Sequence, residues 1–257
     1  NDGVKVNSFI VQPEHQYPGT ALVTVGVYCH EYGHALGLPD FYDYGYDSSG
    51  LGNWSLMAGG SWNGNGGDLP AHMDAWCKAS LGWITPNIAV HQQGVVVPQT
   101  ETNPWIMKIE ATGATGSEYF LIENRQKTGF DGGLPGAGLL IYHVDDSVSG
   151  NDNQWYPGLP SISHYQVALE QADNRYDLEH YNNEGDAGDP YPGTSGNRTF
   201  DDTSNPTAAL YDGTTSPLVV RNISNSGASM TLDIMDITFP LAPKTIQAVD
   251  TPNDEGG

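Results

Sequence analysis

Residues His30 to Asp40 read HEYGHALGLPD. Residues four apart on a helix lie on one face, so His30 and His34 can present two imidazole nitrogens to a single ion. Glu31 points about a quarter turn away. Its carboxylate would stand beside that ion without binding it, which suits a general base acting on water. Gly37 lets the chain leave the helix sharply, and Asp40 arrives three residues later, within reach of the same ion. A catalytic zinc takes three protein ligands and keeps one position open. The competing third ligand, a Glu from a second helix downstream, has no candidate, because no Glu occurs between Glu31 and Glu101. Asp43, Asp47, Asp68, His72 and Asp74 are the other nearby donors. His72 and Asp74 are read more simply as a surface histidine and a helix-start charge. A buried helix with two merely satisfied histidines would leave the glycine and the carboxylate unexplained.

The helix that carries this motif, about Ala21 to Leu36 with Thr20 as cap, is poor by propensity. Val23, Thr24, Val25 and Val27 are β-branched, and Gly26 adds a further cost. It should form only where packing holds it, so a helix buried on most sides is expected. A strand is predicted over 4–11 (VKVNSFIV). Residues 41–69 read as a long loop held in order by Trp54, Leu56, Met57 and Trp62. A second helix is expected over about Pro70 to Leu81, with Asp68 near its start and Pro70 in its first turn. After Pro86 the pattern turns to short period-two runs: GVVVPQ, WIMKIE, YFLIENRQ, GLLIYHV, YQVALEQ, PLVVRNIS and MTLDIMDI. The fold class is therefore α+β, helical first and then β-rich and mostly antiparallel. The organisation expected is a metal-binding part over 1–86, a β-rich remainder of the same domain over 87–240, and a linker over 241–257.

Nine Lys plus Arg face 31 Asp plus Glu, a formal charge of −22. Phosphates would repel such a chain, which makes nucleic acid and anionic lipid poor partners. No apolar run is long enough to span a membrane. The chain starts at Asn1 without a signal peptide, so it reads as a mature product or a fragment. The acidic balance suits extracellular or calcium-containing surroundings, or simply solubility. Cys29 and Cys77 could form one disulfide joining the two helices in a secreted protein, or remain buried thiols. The acidic stretch with Asp173, Asp177, Glu179, Glu184, Asp186 and Asp189 offers hard oxygen ligands of the kind Ca²⁺ takes, or a solvated loop.

HEYGHALGLPD followed by FYD, then NWSLMAGGSWNG, PAHMDAWCKASLGW, YFLIENRQ, GLLIYHVDD and GDAGDPYPG resembles the immune inhibitor A family of secreted bacterial metallopeptidases, relatives of the metzincins. The likeness runs to about residue 240. It implies that His30, His34 and Asp40 hold Zn²⁺, that Glu31 is the catalytic base, and that Met57 is the methionine of the turn beneath the metal. It also implies secretion and protein or peptide substrates; the oligomeric state is open, with a monomer expected. Three departures stand out. Asp40 replaces the third histidine usual in metzincins. Gly59 stands where some metzincins carry a tyrosine. Only 29 residues precede His30, so the start of the catalytic domain is expected to be missing. His143, Arg125 and Tyr165 are candidates for stabilising the transition state. A core histidine and an ion pair with Glu123 are the plainer readings of the first two. Two rivals remain: a secreted binding module that keeps the metal site without catalysis, and an amidase or deacetylase using the same ligands.

Overall fold

The computed structural model describes residues 9–16, 19, 21–110, 116–160 and 163–236. Residues 4–8 of the expected strand, the cap Thr20 and the expected linker over 241–257 lie outside the described residues. Residues 9–11 form no strand. The first helix, α1 (Val25–Ala35), is shorter than its pattern suggested, because residues 21–24 stay out of the helix. Thr24 sits at its N-cap but makes no side-chain cap; its hydroxyl donates instead to the Gly66 carbonyl. Nor is α1 covered on most sides. Gly26, His30 and Gly33 are buried, while Val25, Tyr28, Tyr32 and Leu36 form an exposed stripe. The second helix, α2 (Ala75–Ser80), begins five residues later than expected. Asp74 is its cap, accepting the Cys77 amide at 2.9 Å. Ahead of it the chain is extended: the Ala71 amide donates to Gly60 and the His72 carbonyl accepts from Leu56.

All seven predicted β runs contain strands. β1 (Asn87–Ile88), β3 (Met107–Glu110), β4 (Glu118–Arg125), β5 (Gly138–Asp145) and β6 (Val167–Leu169) form one sheet in the order β1-β3-β4-β5-β6. Only the short β1–β3 pair is parallel. β2 (Gln92–Pro98), β7 (Leu218–Arg221) and β8 (Ser229–Asp236) make an antiparallel sheet in the order β2-β8-β7. The protein is thus α+β with mostly antiparallel sheets.

Alternation along the strands builds two cores. Tyr119, Leu121, Leu140, Tyr142 and Val144 face Leu38, Phe41, Trp54, Met57 and Cys77. Phe120, Ile122, Leu139 and Ile141 face Val95, Val97, Leu232 and Ile234 of the second sheet. The central strands β4 and β5 are therefore covered on both faces, with the motif-bearing segment on one of them. Residues on both sides of position 86 share the first core.

Charged groups cross that first interface. Lys78 of α2 pairs with Glu123, and Arg125 pairs with Glu123 at 3.0 Å and with Asp131 at 2.7 Å. All four are buried. Cys77 is fully buried in the same core, and both cysteines are free thiols. The disulfide allowed by the sequence is not formed: Cys77 is enclosed by core side chains, and burial raises its thiol pKa.

Candidate metal centre

α1 reaches its underlying loop through its two buried glycines. A Cβ on Gly26 would lie 1.9 Å from the Ser61 carbonyl oxygen, and one on Gly33 would lie 2.5 Å from Met57 Sδ. The residues that weaken this helix are those that let it sit on the Met57 loop. Met57 itself is fully buried between the helix and the core. At the helix end Gly37 adopts φ +99°, a region open to glycine. That turn aims the Leu38 carbonyl back at His34 Nδ1, 2.9 Å away. Past the turn, the Phe41 amide donates to the Met57 carbonyl at 2.7 Å, which anchors Asp40 beside the helix.

His30, His34 and Asp40 converge. The two Nε2 atoms are 3.2 Å apart, and Asp40 Oδ1 lies 3.0 Å from one and 3.2 Å from the other. His30 Nδ1 faces the Leu56 carbonyl at 2.8 Å. With both Nδ1 atoms donating to main-chain carbonyls, the neutral rings direct Nε2 lone pairs at the centre. Asp40 Oδ1 is buried and lacks a hydrogen-bond donor. Three acceptors at this spacing repel one another unless a cation lies between them. Ligands about 2.0–2.1 Å from a tetrahedral zinc stand about 3.3 Å apart, close to the triangle observed. The donor set, two imidazoles and a carboxylate, fits that ion.

A proton competes with a metal for this site. Burial pushes the Asp40 carboxyl upward, but His30 and the Tyr44 hydroxyl outweigh it and hold its pKa below the usual range. Burial pushes His30 down, and Asp40 with the Leu56 carbonyl outweighs that, so its pKa is raised. Tyr44 donates to Asp40 Oδ2, and the Tyr42 ring stacks on His30 with centroids 6.3 Å apart. The aromatic FYDY run immediately after Asp40 was the available signal for these two, and sequence reasoning missed them.

Glu31 is half-buried and shares with His30 a cleft of about 510 Å³ whose walls include Tyr42, Trp62, Tyr181 and Glu184. Trp62 is 56% exposed and so lines the cleft instead of anchoring the loop. Gly59 lies in that lining, under Asn53 Oδ1 and Glu184 Oε2.

The other candidates go elsewhere. Asp74 caps α2 and accepts from Ser55 at 2.6 Å. Asp43 accepts the amides of Gly45, Asp47 and Ser48, and Asp68 accepts that of Asn65. His72 is half-buried outside the cluster, and its amide donates to Asp131 at 2.8 Å. His143 is buried between Glu118 and Glu170, at 2.8 and 3.1 Å. Arg125 has no exposed surface. Neither of these two lines the cleft, so the transition-state contact entertained for them has no geometric support; His143 is paired with the half-buried Glu118 and Glu170, and Arg125 with the buried Glu123 and Asp131. Tyr165 is also buried and outside the cleft lining.

Carboxylate oxygens of Asp173, Asp177 and Asp186 gather within 4.8 Å of one another. Glu184 and Asp189 are not in that group. Asp189 is buried and accepts the Trp54 indole N–H and the Asp186 amide, each at 2.9 Å. Glu179 is buried beside Gln171, whose amide donates to it at 2.6 Å.

A network also runs from the β-rich half to the histidines. Arg125 donates to Asp131, Asp131 accepts the His72 amide, the His72 carbonyl accepts the Leu56 amide at 3.1 Å, and the Leu56 carbonyl holds His30. No local spacing signals it.

Residues 1–84 match the family model described as Immune inhibitor A peptidase M6, catalytic domain. The pre-pro-metalloprotease PrtV of Vibrio cholerae serotype O1 (strain ATCC 39315 / El Tor Inaba N16961) is 36% identical over 90 residues, 34% of this chain and 10% of that protein. Immune inhibitor A of Bacillus thuringiensis subsp. alesti is 57% identical over 42 residues, 16% of this chain and 6% of that protein. The matches span a tenth or less of the length of these curated relatives. Over residues 1–84, which carry the whole histidine–aspartate cluster, the chain is similar to the catalytic domain of the immune inhibitor A peptidases.

Proposed function

We propose that this chain is the working part of a secreted zinc-dependent endopeptidase. The observation that carries the reading is the triangle of His30 Nε2, His34 Nε2 and the buried, donorless Asp40 Oδ1, opening on a cleft that Glu31 lines. These three residues would hold the metal. Bound zinc supplies Lewis acidity, bringing the pKa of a coordinated water to about 7. Glu31 would take the proton from the attacking water and return it to the leaving amine. Leu56 and Leu38 hold the imidazoles in one tautomer, and Tyr44 holds Asp40 Oδ2 so that Oδ1 faces inward. Met57, packed under Gly33, sets the height of the helix over this floor. A metzincin-like core of α1, the Met57 turn and α2 over 1–86, with 87–240 as the β-rich remainder of the same domain, is part of the reading. The substrate is a peptide or protein segment laid in the cleft.

The Asp173, Asp177 and Asp186 group is where Ca²⁺ would sit in the same proposal, and a rise in Tm with added Ca²⁺ that Asp177→Asn removes would test it. The main test is casein hydrolysis by the purified chain supplied with zinc, against Glu31→Ala. Hydrolysis lost in the variant, with one zinc still bound per chain, is the expected result. Equal hydrolysis by both would remove Glu31 from its role. Absence of hydrolysis with zinc bound would favour a non-catalytic metal module.

A further inference from the structure

We propose that the cleft beside His30 and Glu31 selects a cationic substrate side chain, Lys or Arg, next to the scissile bond, and that Glu184 is the residue that selects it. The inference rests on the peptidase reading above and names what that site prefers.

Glu184 belongs by sequence to an acidic run far from the metal motif, yet the fold delivers it to the cleft. The Asn53 amide donates to the Glu184 carbonyl at 2.7 Å, which fixes its backbone against the loop that follows Asp40. A Cβ on Gly59 would stand 3.1 Å from both Glu184 Oε2 and Asn53 Oδ1. Two acceptor oxygens therefore converge over a position without a side chain, two residues beyond Met57. Among the described residues three carboxylates line the cleft, those of Glu31, Asp43 and Glu184, and no Lys or Arg does. Asp43 is already committed, since both its oxygens accept main-chain amides and Oδ2 also accepts the Ser48 hydroxyl at 2.9 Å. Glu31 is reserved for the proton transfer. The Ser49 hydroxyl in the same lining donates to the Asn183 carbonyl at 2.9 Å, so Glu184 retains acceptor capacity.

The walls suit the same guest. Tyr46, Trp62 and Tyr181 are 71, 56 and 51% exposed and offer ring surface around the carboxylate. The alkyl stem of Lys or Arg can lie along such rings while its head reaches a carboxylate. An acidic side chain entering here would meet uncompensated negative charge. An apolar side chain would use the rings and leave the two oxygens unmatched.

The test is a peptide series identical except at the residues flanking the cleaved bond, carrying Lys, Arg, Leu or Glu at each in turn. kcat/KM is measured with the full chain and zinc, and equilibrium binding of the same peptides to zinc-loaded Glu31→Gln is measured by fluorescence anisotropy. Lys and Arg should exceed Leu by about tenfold at one flanking position and exceed Glu by more. Glu184→Gln should cut the Lys-over-Leu ratio about tenfold, and Glu184→Lys should turn the preference toward Glu. Because the chain is acidic throughout, a long-range attraction for basic peptides would survive Glu184→Gln; that result overturns the assignment, as does a series that is flat or led by Leu. If no peptide is cut, the peptidase reading fails by itself, and the binding ratios in Glu31→Gln, with and without Glu184→Gln, still decide the inference.

Discussion

Arg125 separates a structural role from a catalytic one by experiment. Its guanidinium is fully buried and donates Nε and Nη2 to Asp131 at 2.8 and 2.7 Å. Nη1 donates to Glu123 at 3.0 Å and to the Trp54 carbonyl at 3.3 Å. In Arg125→Met the two carboxylates fare differently. Glu123 keeps Lys78 and the Tyr142 hydroxyl. Asp131 keeps the His72 amide and the neighbouring Glu101 carboxyl, so the uncompensated charge concentrates there. Breaking a buried pair by removing one partner costs about 3–5 kcal/mol, out of a total stability of about 5–15 kcal/mol. Asp131→Asn removes the charge but keeps an acceptor, so Arg125→Met combined with Asp131→Asn should cost no more than Arg125→Met alone. Chemical denaturation at pH 7 of the parent, both single variants and the double variant gives the coupling, expected at about 2–3 kcal/mol. Because Asp131 also holds the chain that leads through His72 and Leu56 to His30, the folded fraction of Arg125→Met should bind zinc more weakly. A variant within about 1 kcal/mol of the parent, with full zinc affinity and a defect confined to kcat, would refute this reasoning. It would return Arg125 to the role of a substrate contact.

Zinc should raise the Tm of the parent in proportion to RT ln(1 + [Zn]/Kd), about 2.7 kcal/mol at a hundredfold excess over Kd; Asp40→Ala should abolish that gain, which thermal scans with and without a chelator will show. Burial pushes Glu101 up to about 7 from 4.5. A raised pKa means its contribution is complete below about pH 4.5 and is lost as pH rises through about 7. Glu101→Gln should therefore gain stability over the parent across that window, on the order of 1–3 kcal/mol by pH 8, measured by urea unfolding at pH 5 and pH 8. Gly33→Ala should cost about 1–3 kcal/mol from overpacking, offset by about 1 kcal/mol of helix propensity. The clash is with Met57 Sδ, so its combination with Met57→Ala should be less destabilising than the sum of the single variants in the same unfolding assay.

The sequence made the cluster of His30, His34 and Asp40 legible for a physical reason. His30, His34, Gly37 and Asp40 lie within eleven residues, so helix periodicity and one glycine turn suffice to bring their donors together. The strands were legible for the same kind of reason, since period two is local and the turns between runs are marked by Gly, Asn and Pro. Boundaries failed where tertiary hydrogen bonds overrode local preference. Pro70 looked like the first turn of a helix, but Ala71 and His72 are bound in extended form to Gly60, Leu56 and Asp131, and the helix waits for Asp74. Trp62 looked like an anchor because aromatic residues in loops often are, and only the fold shows that it lines a cleft.

The acidic stretch from 173 to 189 marks the deeper limit. Its composition is plain in the sequence, and it reads as one patch. The fold divides it among different tasks. Asp173, Asp177 and Asp186 gather together, Asp189 is buried under the Trp54 indole, and Glu184 is sent to the cleft that His30 and Glu31 line. The division turns on backbone geometry between neighbours. Gly185 adopts φ +114°, and a Cβ there would lie 2.6 Å from Trp54 Nε1. Only glycine lets the chain pass the indole closely enough to leave Glu184 on one side and Asp186 on the other. Charge count alone could have assigned Glu184 to a calcium loop; what places it beside His30 is a turn whose other half is written 131 residues earlier, at Trp54. Contacts of that sequence separation carry no local periodicity, so the cleft's chemistry, unlike the histidine–aspartate cluster, had to come from the folded chain.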